Sequence, residues 1–533
     1  MACLLSVLRT CSRVSVFYPM RKIGQRFLRN MFGLDYRSLA LLRMGLAVAL
    51  LMTLRECGEY LGAFYTDAGA LPRAALIANN YAPPWPNVHM AGGSFAFQAA
   101  LFGLQVVLAL LLLVGYRTRL VTALSFYLLF SMQGRNPMLI FGPDMMLRLM
   151  LFWGIFLPLG RRFSLDAELG RTPPPAEPVY FDIAGVAYIL QFILIYFYSG
   201  YTKTGATWQV DHTAIARALD LEIFRRPLGH WINHYDWLTT WLTVAVPPIE
   251  TYGAFLFIVP FCTGWARWAG FLLLTGLQLG FNLSMDLGLF GVVMVAIMLG
   301  LLPAECWTGL LEPLGRKIAR WRPGGKTKPP RSWLAAQARA RGAAERRAAW
   351  RARHKGLVSA LRWLRRGLVA FLVYYIVGWN VDYSHSDHAW VPVSLDGLAY
   401  NFGFEQHFDN LFAPNPEDQD GWFILSGTTV GDREVNVFSG AEAFTLARPA
   451  SVVATYRGER WGSYLPYVLE SRTTWLLEPL ALYLGREWNR THFGADRVKS
   501  IQINFMLERV GAHHTKTPTQ MLPLWAEPIR SGN

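Results

Sequence analysis

Apolar runs broken by short polar turns dominate the chain from Leu39 to Trp307. Leu39 to Tyr60, Phe95 to Tyr116, Phe181 to Tyr201, Trp237 to Phe261, Trp268 to Met285 and Leu287 to Trp307 each come near the roughly 20 apolar residues that a helix needs to cross about 30 Å of hydrocarbon. Three shorter runs, Leu120 to Met132, Asp144 to Leu159 and Gly367 to Val381, fit tilted or broken spans with snorkelling flanks. The pattern predicts an all-α polytopic membrane domain of eight or nine helices.

After Asp382 the pattern changes. Polar and aromatic residues mix, and turn formers cluster in APNPEDQDGW and VGDREVNV. GWFILSG and REVNVFSG alternate as strands do, whereas TTWLLEPLALYLGREWNR repeats its apolar residues at helical spacing. A soluble mixed α/β domain is expected there. The divisions are a basic arm (1–33), a transmembrane domain (34–310), a basic loop (311–366), a final helix (367–381) and the soluble domain (382–533).

Composition agrees, with 53% hydrophobic and 16% charged residues against roughly a quarter charged in soluble domains. Location matters more than total. Between Arg316 and Arg366 stand 17 lysines and arginines and one acid, Glu345, a surplus of +16 in a chain of +15. Beside a span, such a run marks a cytoplasmic loop facing anionic lipid heads, not a nucleic-acid site. Arg117 and Arg119, Arg161 and Arg162, and Arg267 fall in alternate turns, while Thr202 to Asp236 balances four basic against four acidic residues. This predicts an N-terminus in the cytoplasm and a C-terminal domain on the outer face of the membrane, which in a bacterium would be the plasma (inner) membrane. The arm carries Arg9, Arg13, Arg21, Lys22, Arg26 and Arg29 without a cleavage-site pattern, unlike a signal peptide. Cys3, Cys11, Cys57, Cys262 and Cys306 form no CxxC, so neither a disulfide framework nor a metal site is expected.

Polar residues in or beside spans need a reason. Asp67 and Arg73, in YTDAGALPR, either clip a loop or line a site. Arg135, Asn136, Asp144 and Arg148 bracket a loop with two prolines, and Asp144 and Arg148 share a helix face. Glu250 follows two prolines within a strong span; it either handles protons or fixes helix packing. Gln278, Asn282 and Asp286 recur every four residues as a polar stripe that lines a cavity or bonds neighbouring helices. Lys203 ends the span of QFILIYFYSGYTKTGATW, where an anchoring lysine would snorkel to headgroups.

The order of YTDAGALPR, RNPMLIFGPDMMLR, FLPLGRRFSLDA, YFYSGYTKTGATW and LGFNLSMDLGLFG resembles the horizontally transferred transmembrane domain family, related to vitamin K-dependent γ-glutamyl carboxylase. The resemblance covers roughly Leu34 to Trp307, and NLFAPNPEDQDGWF with RWGSYLPYVL resembles the tail that accompanies it. It implies that Lys203 is a catalytic base acting as a neutral amine on a reduced vitamin K or menaquinol, with O2 and CO2 as co-substrates. A lysine does this only where an apolar site favours its uncharged form. The expected quinone pocket, open to the outer face, comprises Tyr201, Trp208, Asn136, Arg135, Glu250 and Gln278. Gly200 permits close helix approach. Asp67, Arg73, Asp144, Arg148 and Asn282 are site-lining or structural. The chain departs from the carboxylase pattern at Pro137 and Gln278, where relatives carry histidines.

Two functions are expected from these features: a quinol-dependent, carboxylase-like enzyme, or a non-catalytic accessory protein that binds an exported peptide or protein. A transporter would show internal repeats, and none is evident.

Overall fold

Helix-forming residues with few internal prolines fill most of the chain, and among the described residues the architecture is mostly helical with a two-stranded and a four-stranded sheet. The computed structural model describes residues 17–81, 83, 85–311, 331–385, 390–404, 412–439, 444–471, 474–511 and 514–528. Cys3, Arg9, Cys11 and Arg13 of the basic arm, and residues 312–330 of the basic stretch, lie outside the described residues.

The longer helices are α1 (Phe17–Phe32), α2 (Tyr36–Glu59), α3 (Phe95–Val114), α4 (Thr118–Arg135), α5 (Gly142–Phe156), α6 (Ile183–Tyr201), α7 (Asp236–Gly253), α8 (Thr263–Ser284), α9 (Phe290–Leu299), α10 (Arg331–Arg353) and α11 (Lys355–His385). Their starts are chemically marked. Asp35 accepts from Arg37 N, Ser94 from Phe97 N and Asp182 from Ile183 N, satisfying amides that a helix start leaves free. Gly115 ends α3 at φ +72°, and a Cβ there would lie 2.3 Å from the Arg43 guanidinium. Arg43 is fully buried in α2 and donates to Leu113, Leu159 and Phe163 carbonyls, so it gathers the ends of several helices.

Among the described residues, four helical segments are long and apolar enough to cross a membrane: Tyr36–Glu59, Phe95–Val114, Ile183–Tyr201 and Asp236–Ile258. In the second and fourth only 33% of the apolar window is buried, so most of each faces outward, as lipid contact requires. These are the helices of a membrane protein.

Several boundaries differ from expectation. The run from Leu287 to Trp307 is broken: α9 covers ten residues, and Gly300 to Pro303 separate it from a short turn at Ala304–Cys306. Proline and glycine explain the break. α8 ends at Ser284, so Asp286 lies beyond the helix that was to carry the polar stripe. Arg267 stands inside α8 and is buried, donating to Phe257, Gly33 and Met31 carbonyls, instead of occupying a turn. The described part of the arm is helical in α1. The basic loop is not a loop where it is described, because its alanines and arginines are strong helix formers; they make α10 and the start of α11, which runs without a break through 367–381.

Beyond α11 come α12 (Val393–Phe402), α13 (Glu459–Ser471) and α14 (Thr474–Asn489). Short strands β1 (Leu34–Asp35) and β2 (Val179–Tyr180) pair beside the bundle. The C-terminal sheet comprises β3 (Gln419–Thr429), β4 (Glu434–Asn436), β5 (Val498–Arg509) and β6 (Gln520–Pro528), antiparallel in the order β4-β3-β5-β6. β3 and β5 pair from Gln419↔Arg509 to Thr428↔Ser500.

This C-terminal unit packs on the bundle end opposite its basic end. At the basic end, Arg365 and Arg366 pair with Asp182 before α6, and Arg119 donates to the Ile155 carbonyl near the end of α5. At the other end Phe64 packs on Trp461 and Tyr464, with ring centroids 4.6 and 5.2 Å apart, and the Tyr60 hydroxyl donates to the Arg457 carbonyl.

Candidate functional site

Lys203 stands just past the last turn of α6, and its side chain folds back along that turn. Nζ donates to the Ser199 carbonyl at 2.6 Å, lies 3.4 Å from Ser199 Oγ, and meets Glu250 Oε2 of α7 at 2.7 Å. Only 3% of the lysine side chain and 6% of the glutamate side chain are exposed, so this lysine does not snorkel. The free carbonyls that end a helix carry partial negative charge, and the carboxylate completes a cation-binding niche. The Trp208 ring centroid lies 5.4 Å from Nζ, close enough for a cation–π contact.

Gly200 makes this meeting possible. A Cβ there would lie 2.3 Å from Thr251 Oγ1 and 2.5 Å from the Pro247 carbonyl oxygen. No larger residue fits between α6 and α7 at that level. α7 passes Pro247 and Pro248 without ending. These residues cannot donate within the helix, while the Pro247 carbonyl accepts from Thr251 Oγ1 at 2.8 Å.

Tyr196 shares the α6 face of Ser199 and Lys203, following the helical repeat. Its hydroxyl accepts from Gln278 Nε2 at 2.9 Å, and Gln278 Oε1 is buried with no hydrogen-bond partner among the described residues. The pattern singled out Gln278 but not its partner.

A C-terminal segment covers the Lys203 turn. Trp208 Nε1 donates to the Phe412 carbonyl at 2.8 Å, Gly205 N to the Pro414 carbonyl at 2.9 Å, and Thr207 Oγ1 to Asn415 Oδ1 at 2.8 Å. The lysine is thus walled by two helices, an indole and a loop from more than two hundred positions later.

The other expected pocket residues lie elsewhere. Tyr201 is 45% exposed and stacks on Phe197 at 5.3 Å, because its position in the last turn of α6 turns it away from Glu250. Arg135 donates to the Leu71 and Thr66 carbonyls, and Asn136 to the Phe64 carbonyl; both serve the loop after α2. Asp67 takes three bonds from the Arg73 guanidinium and one from its backbone N–H. Those bonds hold its carboxyl below the usual range. His89, in the same region, bonds Gln98 Oε1 through Nδ1 at 2.7 Å, and burial lowers it to about 4.

Asp144 and Arg148 do not pair. Asp144 binds Arg460 of α13 at 2.7 and 3.1 Å, whereas Arg148 donates to Gln133 and to the Gly403 carbonyl. Burial alone would lower Arg460, but Asp144 together with Cys57 and Tyr65 outweighs it, and the guanidinium is held well above its ordinary value. Asn282 packs against Gly291, and Asp286 pairs with Arg226 at 2.7 Å. Arg460, Phe412 and Asn415 carried no spacing signal of their own, since their partners are hundreds of positions away.

Chemically, the Lys203–Glu250 centre is an amine and a carboxyl in hydrogen-bond contact, shielded from water, with the Gln278 amide oxygen on a neighbouring helix unpartnered among the described residues. Such a pair can exchange a proton along one bond. Comparison with protein families, with curated proteins and with solved structures returns no match.

Proposed function

We propose that the chain is a multi-pass membrane enzyme of the carboxylase-like kind, in which Lys203 and Glu250 move a proton during a reaction dependent on a reduced quinone. The 2.7 Å contact between the two buried groups carries this reading. An anchoring lysine needs access to headgroups, and this one is enclosed.

A reduced vitamin K or menaquinol, when bound, would supply electrons to oxygen and so the strong base that carbon dioxide addition to a glutamate requires. The residues fit a hydroxyl-bearing head: Gln278 Oε1 is a buried acceptor without a partner among the described residues, beside the Tyr196 hydroxyl, and these two would hold it. Glu250 Oε2 takes the proton from Lys203, leaving Nζ with a lone pair, the form in which an amine accepts a substrate proton. Trp208 and the Phe412 loop exclude water, which strengthens every polar interaction inside.

In this reading eight or nine helices cross the bacterial plasma membrane, with the basic end cytoplasmic and the C-terminal unit outside. The separation of arginines and C-terminal unit to opposite bundle ends supports that orientation. The family likeness to the γ-glutamyl carboxylase relatives belongs to the same proposal.

A second reading is an accessory protein that binds an exported peptide or protein, with Lys203–Glu250 fastening α6 to α7. It draws on Arg135, Asn136 and Asp144, which bond the Leu71 carbonyl, the Phe64 carbonyl and Arg460, with Arg135 Nε and Asn136 Oδ1 buried and without a hydrogen-bond partner among the described residues. Quinol-dependent oxygen consumption in lipid nanodiscs separates the two. The enzyme consumes oxygen and Glu250→Gln abolishes consumption; the accessory protein consumes none.

A further inference from the structure

We propose that the arginine face of α10 and the first third of α11 form a binding surface for anionic phospholipid headgroups, independent of the chemistry at Lys203. Residues 331–366 carry eleven lysines and arginines and one acid, Glu345. Arg346, Arg347 and Arg351 have no carboxylate within salt-bridge distance among the described residues; the Arg347 Nε returns to its own helix at the Ala343 carbonyl. With Trp350 they lie on one face of α10, at the three- and four-residue spacing of a helix. Trp350 itself is 47% exposed.

Charge alone would also suit a nucleic acid. The apolar residues decide against that partner. Leu357, Leu361, Trp363 and Leu364 are exposed by 49–69%, interleaved with Lys355, Arg362, Arg365 and Arg366. A nucleic acid would satisfy the cations and leave leucines and tryptophans in water, whereas the boundary between headgroups and acyl chains satisfies both. α11 then continues without a break into 367–381, where Phe371 and Tyr374 are exposed by 44% and 52%. One helix therefore runs from the basic surface into an apolar one.

The surface is held in place on the bundle. Gln337 Nε2 donates to the Glu168 carbonyl at 2.9 Å, Arg341 packs over Gly170, where a Cβ would lie 2.9 Å from its Cγ, and Asp182 fixes Arg365 and Arg366. The arginines of α10 need not fold on contact to meet a headgroup, which lowers the ordering cost of binding.

The test uses the full chain in nanodiscs containing brominated phosphatidylglycerol or, at equal mole fraction, brominated phosphatidylcholine. The Trp350 emission is isolated as wild type minus Trp350→Phe. Each basic residue near an anionic surface contributes a preference of about fivefold, so the anionic quencher should act several-fold more strongly on this component. Arg346→Gln, Arg347→Gln and Arg351→Gln combined should lower the preference several-fold while the melting temperature stays unchanged. Equal quenching by both lipids in wild type, or a preference undiminished by the triple substitution, would overturn the proposal. So would relief of quenching by inorganic phosphate or by an oligonucleotide, which would identify a soluble anion or a nucleic acid as the ligand.

Discussion

Arg460 reaches Asp144 across 316 positions of sequence, Nη1 to Oδ2 at 2.7 Å, with both side chains buried. Arg460 Nη2 also lies 3.2 Å from Glu56 Oε2, so one guanidinium from α13 holds carboxylates of α2 and α5. The C-terminal unit is fastened to the bundle by this contact and by the aromatic packing around Phe64.

Removing one member of a buried pair leaves the other charge stranded, at a cost of about 3–5 kcal/mol. Arg460→Met should therefore lower stability strongly and free the C-terminal unit for proteolysis. Adding Asp144→Asn should recover most of the loss. Limited proteolysis and thermal unfolding of the two variants measure this; equal stability of Arg460→Met and wild type would refute the latch.

Gly200→Ala tests the approach of α6 and α7. Its Cβ would strike the Pro247 carbonyl, which is backbone and cannot swing away. Overpacking of this kind costs about 1–3 kcal/mol, and the displaced helix would separate Lys203 from Glu250. A lower melting temperature is expected. An unchanged one would mean that the helices are not held at this distance.

His514 gives a pH dependence. Its Nδ1 lies 2.9 Å from Asp220 and its Nε2 3.3 Å from Asp236, with Asn233 close by. Burial lowers its pKa, but the two carboxylates outweigh burial and the net direction is upward. A raised folded-state value means that the stabilisation is complete below the ordinary histidine value of 6.5 and is lost as pH rises through the folded value. Amide exchange in β5, corrected for intrinsic rate, should therefore increase between about pH 6 and about pH 8 in wild type. It should be flat with pH in His514→Ala; a rise of the same size in that variant would exclude His514 as the cause.

The helical character of this chain was legible because span length and apolar content are local properties. Helix ends were less so: nothing in the run after Leu287 says whether Gly300 and Pro303 end a helix or only bend it. The alternating runs near Trp422 and the helical repeat after Thr474 pointed to the elements of the C-terminal unit, since both periods are short. The candidate site was half legible. Lys203 and Glu250 each stood out as charges in apolar runs, but their contact depends on Gly200, whose importance is set by the opposing Pro247 carbonyl. Asp144 and Arg148 were misleading because four-residue spacing shows that two side chains can meet, not that they do, and Arg460 offered Asp144 a better-placed partner. Tyr201 lay next to the right residues in sequence and on the wrong side of the helix.

The proposed role of Lys203 and Glu250 meets its most direct test in Lys203→Arg. Lys203→Ala is the weaker choice, because it leaves the Glu250 carboxylate buried without its partner and confounds lost chemistry with lost stability; it needs Glu250→Gln beside it. Arginine keeps the positive charge and can still bind Glu250, yet it stays protonated and cannot accept a proton. The measurement is quinol-dependent oxygen consumption and bicarbonate incorporation in nanodiscs, for wild type and Lys203→Arg matched for insertion and melting temperature. Turnover by wild type and none by Lys203→Arg is the predicted result, and full activity in Lys203→Arg would contradict a proton-transfer role and leave the pair as a fastener between α6 and α7.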